Sequence, residues 1–143
     1  RLKSGKYRTL RVNYANGDMV GHTGHLDAAV IAVEAVDLSL ARIIPVIEKT
    51  NGALIVTADH GNADEKFELD KKSGDFKRDA KGRRRSKKSH TLNDVPCYIY
   101  VPSRPELELN PRIEHPGIAN VAATTLQLLG FERPEGYEPS ILR

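Results

Sequence analysis

Apolar and polar positions divide the chain into a short series of elements. Residues 8–14, Arg-Thr-Leu-Arg-Val-Asn-Tyr, alternate well enough to predict a strand. The glycine-rich run after it reads as a loop. From Leu26 the apolar positions Leu26, Val30, Val33, Val36, Leu40, Ile43 and Ile47 recur at steps of three and four, which predicts an amphipathic helix over Leu26–Thr50. Pro45 is expected to kink that helix or end its regular part, because it lacks an N–H and crowds the preceding turn. Asn51-Gly52 is the stop signal. Ala53-Leu54-Ile55-Val56-Thr57 is continuously apolar up to its last residue, as for a strand covered on both faces. Cys97-Tyr98-Ile99-Tyr100-Val101 predicts another strand, ended by Pro102. Residues 103–117 carry Pro105, Pro111 and Pro116 and read as an irregular connection. Ile118–Leu129 reads as a helix capped by Gly130, and the Pro- and Gly-bearing tail from Phe131 as packed coil. This order predicts an α/β fold with a mostly parallel sheet and flanking helices. Ligands of such sheets sit at the carboxyl ends of strands.

The 143 residues suffice for about one domain. No apolar run approaches the ~20 residues of a membrane helix, and no signal peptide is legible. The single cysteine, Cys97, cannot form an internal disulfide and reads as a core residue, which fits a reducing, cytoplasmic setting. The chain starts at Arg1 without Met, so it is expected to be processed or part of something longer.

Charge is unevenly spread. Residues 66–88 hold eleven cations and four anions, +7, so the rest of this +3 chain is −4. The stretch 64–89 reads as a long surface loop, a hairpin or partly disordered. Its run Arg83-Arg84-Arg85-Ser86-Lys87-Lys88 has the composition of a nucleic-acid patch but lacks interleaved aromatics. A solvated loop with no nucleic-acid partner is the expected reading, one that attracts an anionic substrate toward nearby His90.

The chemistry is concentrated in three places. Asp18 and His22 lie four apart in Asn16-Gly17-Asp18-Met19-Val20-Gly21-His22-Thr23-Gly24, a spacing that turns both side chains to one side of a helical turn or tight loop. Asp59 and His60 are neighbours in Thr57-Ala58-Asp59-His60-Gly61-Asn62, at the end of a strand. On a regular strand they face opposite ways, but a backbone that turns before Gly61 lets them face two adjacent metals. His90 follows Ser89. Carboxylate oxygen with imidazole nitrogen suits divalent metals, and five such residues suggest a two-metal centre. Capping roles compete for any one Asp–His pair, and His25 and His115 read as cap or loop histidines. No nucleophile is evident: Thr23, Thr57 and Ser89 sit near the motifs without a base-coupled turn. Two Asp and three His also leave a dinuclear site short of ligands.

Asn13–Gly24, Thr57–Ala63 and Ser89–Pro96 resemble, in order, the metal motifs of the cofactor-independent (2,3-bisphosphoglycerate-independent) phosphoglycerate mutases. The similarity runs over nearly the whole chain. Asp-His-Gly alone also fits other alkaline-phosphatase-like enzymes, such as phosphopentomutases or phosphodiesterases. The resemblance implies an alkaline-phosphatase-like fold of which residues 1–143 are the C-terminal part, incomplete without upstream sequence. It implies that Asp18, His22 and His90 bind one metal and Asp59 and His60 the other. A further Asp and the nucleophilic Ser are then expected upstream, so no catalytic nucleophile is expected in this chain, which alone would be inactive. The implied reaction interconverts 3-phosphoglycerate and 2-phosphoglycerate through a phosphoserine. It uses two divalent ions, usually manganese, with magnesium or cobalt as alternatives, in a protein expected to be monomeric when whole. A non-catalytic basic binding module is the reading from outside this enzyme group.

Overall fold

The computed structural model describes residues 1–143. After a 3-10 turn at Leu2–Ser4 come α1 (Asn16–Gly21), α2 (Leu26–Lys49), β1 (Leu54–Thr57), β2 (Cys97–Tyr100) and α3 (Asn120–Leu128). β1 and β2 pair in a two-stranded sheet. The α/β character is present, but the expected strand at 8–14 is not. Leu10 and Val12 are exposed and no ladder partner faces them, and an alternating sequence is not a strand until another backbone pairs with it. Cys97, expected in the core, is exposed at the start of β2.

The chain forms two compact units. One comprises Arg11–Ile44 and Val56–Cys97, the other Arg1–Leu10, Pro45–Ile55 and Tyr98–Arg143. In the first unit the glycine-rich run is not a loop but the helix α1, closed by Met19 N–H on Ala15 O (2.9 Å) and His22 N–H on Asp18 O (3.1 Å). α2 buries Ala29 and Ala32, so its first half turns small residues inward while Leu26, Val30 and Val33 stay exposed. The expected stripe holds only from Val36 onward.

In the second unit Pro45 lies inside α2 rather than ending it. The helix stops in a Schellman motif: Gly52 N–H reaches Ile47 O (2.9 Å) and Asn51 N–H reaches Glu48 O (3.2 Å). Asn51, not Gly52, takes the left-handed turn, at φ 54°. α3 ends the same way, with Phe131 N–H on Leu126 O (2.9 Å) and Gly130 at φ 83°. The tail packs as irregular chain, as its composition predicts, and is anchored on α3. Thr124, fully buried, donates through Oγ1 to Asn120 O (2.8 Å) and accepts Ile141 N–H (3.0 Å). Asn120 Nδ2 holds Pro139 O at 2.8 Å, and Asn110 N–H holds Ile141 O at 2.7 Å.

Replacing Thr124 by Val nearly keeps the volume and leaves the half-buried Ile141 N–H without its partner. Thr124→Val is expected to lower unfolding free energy by about 1–3 kcal/mol, read from urea denaturation.

Candidate metal centre

Every candidate ligand lies in the unit formed by Arg11–Ile44 and Val56–Cys97. α1 carries Asp18, and His22 caps its C-terminal end, so one helical turn delivers both to the same side. Asp59 and His60 follow β1 after a single residue, Ala58. His90 is brought in by an antiparallel bridge between Gly61 and Thr91, with Thr91 N–H on Gly61 O at 2.9 Å. Asp64 clamps that junction by accepting from Thr91 Oγ1 (2.8 Å) and Asn93 Nδ2 (2.6 Å). Burial opposes the charge on Asp64, but the bonds from Asn93 and Thr91 outweigh it and hold its pKa below the usual carboxylate value.

Three donor atoms converge. His22 Nε2 lies 3.2 Å from Asp18 Oδ1, His90 Nε2 lies 3.1 Å from the same oxygen, and the two imidazole nitrogens are 3.1 Å apart. His22 Nδ1 sits 2.6 Å from Lys88 O, so the neutral ring places its proton there and turns its Nε2 lone pair inward. With metal–ligand bonds of about 2.0–2.2 Å, donors stand roughly 2.8–3.1 Å apart in a cis-octahedral arrangement and roughly 3.3–3.6 Å apart in a tetrahedral one. Two edges of the triangle match the upper end of the octahedral range and the third lies just above it. A carboxylate and two imidazoles crowded this closely repel unless a cation or proton stands among them, so the donor set fits a divalent metal.

His60 stacks on the His90 ring, centroids 3.8 Å apart and 22° from parallel. A ligand atom of His60 lies within 4.8 Å of those of Asp18 and His90. His60 Nε2 is 3.7 Å from Asp59 Oδ1, yet the Asp59 side chain is 87% exposed. Four of the five candidate ligands therefore cluster, while Asp59 stands at the edge facing solvent. His25 starts α2 by accepting Ala29 N–H, a backbone role that matches its reading as a cap. Thr23 Oγ1 is engaged by Val20 O at 2.6 Å.

Two residues of the site have no role in the sequence reading. Asn62, 4% exposed, donates from Nδ2 to Asp18 Oδ1 (2.7 Å). That bond is the main reason the Asp18 pKa is lowered; desolvation opposes it, and His22, His90 and His60 add to it. Lys66, counted above with the basic loop, is only 5% exposed and donates to Gly21 O (2.7 Å) and Asn62 Oδ1 (2.9 Å). Burial lowers the Lys66 pKa, Asp64 and Asp18 offset part of this, and Lys87 adds to it. The only available signal was the position of Asn62 in the Asp-His-Gly-Asn run, with Lys66 four residues on.

The rest of the basic stretch is ordered. The 66–68 segment pairs with 85–87, 68–70 with 75–77, and 77–79 with 83–85. Asp70 and Asp79 cap the two turns, and Phe67 and Phe76 meet edge to face beneath the Arg84 guanidinium. Lys77 and Arg85 pair with Glu68, Lys87 with Glu65 and Arg83 with Asp79, so four of the eleven cations are held in ion pairs.

Gly21 packs directly on this machinery. A Cβ there would land on Asn62 Oδ1 and 2.8 Å from Asn62 Cγ. Gly21→Ala is expected to lower stability by about 1–3 kcal/mol through overpacking, measured by denaturant unfolding.

Comparison with known proteins gives the chain a family. The Metalloenzyme superfamily matches residues 1–133. The chain is 51% identical to a probable 2,3-bisphosphoglycerate-independent phosphoglycerate mutase of Leptospira interrogans, over 99% of this chain and 26% of that protein. It is 46% identical to the 2,3-bisphosphoglycerate-independent phosphoglycerate mutase of Trypanosoma brucei brucei, with the same coverage. A crystal structure of Leishmania mexicana phosphoglycerate mutase, determined at low cobalt concentration, superposes with a TM-score of 0.94 at 48% identity, over 99% of this chain and 26% of that one. The chain thus spans about a quarter of the length of the relatives it matches. No helix is long and apolar enough to cross a membrane. With its donor cluster and this match over most of its length, the chain belongs to the Metalloenzyme superfamily.

Proposed function

We propose that this chain supplies most of the protein ligands of the two-metal centre in a 2,3-bisphosphoglycerate-independent phosphoglycerate mutase. The observation that carries the proposal is the triangle of Asp18 Oδ1, His22 Nε2 and His90 Nε2, with edges of 3.1–3.2 Å. Asp18, His22 and His90 are assigned to one divalent ion. Asp59 and His60 are assigned to the second, whose remaining ligands would come from elsewhere in the protein. His60, stacked on His90, is placed to keep the two ions adjacent. Asp59, with its exposed carboxylate, is free to meet ligands that arrive from outside this unit.

The ions, when bound, supply positive charge that stabilises a phosphoryl group in transfer and acidifies a hydroxyl nucleophile. This chain's residues orient them. Lys88 O fixes the His22 tautomer, Asn62 fixes the Asp18 carboxylate, and the Gly61–Thr91 bridge fixes His60 relative to His90. The substrates are 3-phosphoglycerate and 2-phosphoglycerate, exchanged through a phosphoserine on a residue outside these 143. The native ion is assigned as manganese, with magnesium or cobalt as the competing assignments. The protein is placed in the cytoplasm and acts as a monomer.

The test uses the intact protein. It should convert 3-phosphoglycerate without added 2,3-bisphosphoglycerate, lose activity to chelator, and carry about two metal equivalents by elemental analysis. Since metals contribute several kcal/mol of transition-state stabilisation, Asp18→Ala and His60→Ala should each cost at least ~100-fold in kcat/KM. Undiminished activity in those variants would sink the assignment, and turnover only of pentose phosphates or phosphodiesters would reassign the substrate.

A further inference from the structure

We propose that Lys66 is a positioning residue for the metal ligands Asp18 and His22, acting through the Asn62 amide and the last carbonyl of α1. The inference rests on the metal reading of the site given above. Lys66 is 5% exposed, and none of the ion pairs in the structure involves it. Its Nζ meets only neutral oxygens: Gly21 O at 2.7 Å, Asn62 Oδ1 at 2.9 Å and Asn62 O at 3.4 Å. A buried ammonium without a touching carboxylate is costly, and a merely structural lysine of this length would reach solvent.

What the ammonium does for the site follows from its chemistry. Lys has three donors and no acceptor, so it accepts only one orientation of the Asn62 amide, the one with Oδ1 toward it. That orientation turns Nδ2 onto Asp18, 2.7 Å from Oδ1 and 3.3 Å from the backbone oxygen. With the amide reversed, its oxygen would face the carboxylate and repel it. The bond to Gly21 O does a second job. Gly21 is the last residue of α1, one before His22, and a cation on the terminal carbonyl completes a helix only six residues long. A single side chain therefore fixes the carboxylate of one ligand and the backbone that launches the other.

The test titrates Co2+ into the metal-stripped intact protein and reads both affinity and the visible Co2+ absorption. Lys66→Met and Asn62→Ala should each weaken binding of one equivalent by about 10–100-fold, the size of effect seen when partners of metal ligands are removed. Each should also alter the absorption band. The double variant should lose less than the two single losses multiplied, because both cut the Lys66–Asn62 link while only Lys66→Met also frees Gly21 O. Circular dichroism shows whether the variants fold. If Lys66→Met does not fold, Lys66→Gln takes its place: lowered affinity supports the relay, and unchanged affinity overturns it. Unchanged affinity in a folded Lys66→Met, or losses that simply multiply in the double variant, also overturn it. Absence of Co2+ binding by the unsubstituted protein, or full binding by Asp18→Ala, overturns the metal reading instead.

Discussion

One oxygen organises the site. Asp18 Oδ1 is 2.7 Å from Asn62 Nδ2, 3.2 Å from His22 Nε2 and 3.1 Å from His90 Nε2. A carboxylate that close to two imidazole nitrogens has one lone-pair direction held by an amide and the rest turned toward a shared point. The architecture around it consists largely of devices that make this crowding tolerable. α1 places His22 one turn after Asp18, Lys88 O takes the outer nitrogen of His22, and the Thr91 bridge sets His90 against His60.

The basic excursion takes on a different meaning in this setting. Its charge suggests a feature of its own, but its two ends belong to the site. Lys66 enters the excursion from beneath α1, and Lys88 leaves it with its carbonyl on His22. Lys87 N–H on Lys66 O, at 2.9 Å, ties entry to exit. A closed base of this kind separates the ligands from the turns at Asp70–Asp75 and Asp79–Arg83, which is how a long excursion can be carried beside a site whose geometry must hold to fractions of an ångström.

How much of this was legible in the sequence depended on the range of the interaction. The long helix, both paired strands and the Asn51-Gly52 stop rest on local periodicity and turn chemistry, and they were readable. The five candidate ligands could be proposed from local spacing, Asp18 with His22 and Asp59 with His60 beside glycines, and His90 in its loop; the structure brings four of them together and leaves Asp59 exposed at the edge. The strand at 8–14 failed because alternation says what a strand needs and not whether a partner exists. α1 was read as loop because Gly17 and Gly21 mark flexibility in general, whereas Gly21 is there to let Asn62 approach. The inward face of α2 was misplaced at its start because Ala29 and Ala32 carry little hydrophobic weight yet permit the closest packing. Lys66 was invisible for a related reason: among eleven cations of one segment, nothing local distinguishes the one that is buried.

That lysine also bears on how a cation site can sit beside a fixed positive charge. An ammonium in direct contact with Asp18 would compete with any metal for the carboxylate. Interposing Asn62 changes the outcome. The amide accepts from Nζ on one side and donates to Oδ1 on the other, so the carboxylate receives a directed, polarised N–H while keeping its net charge available. The lysine thereby fixes orientation without neutralising the ligand, which a salt bridge at the same position would have done.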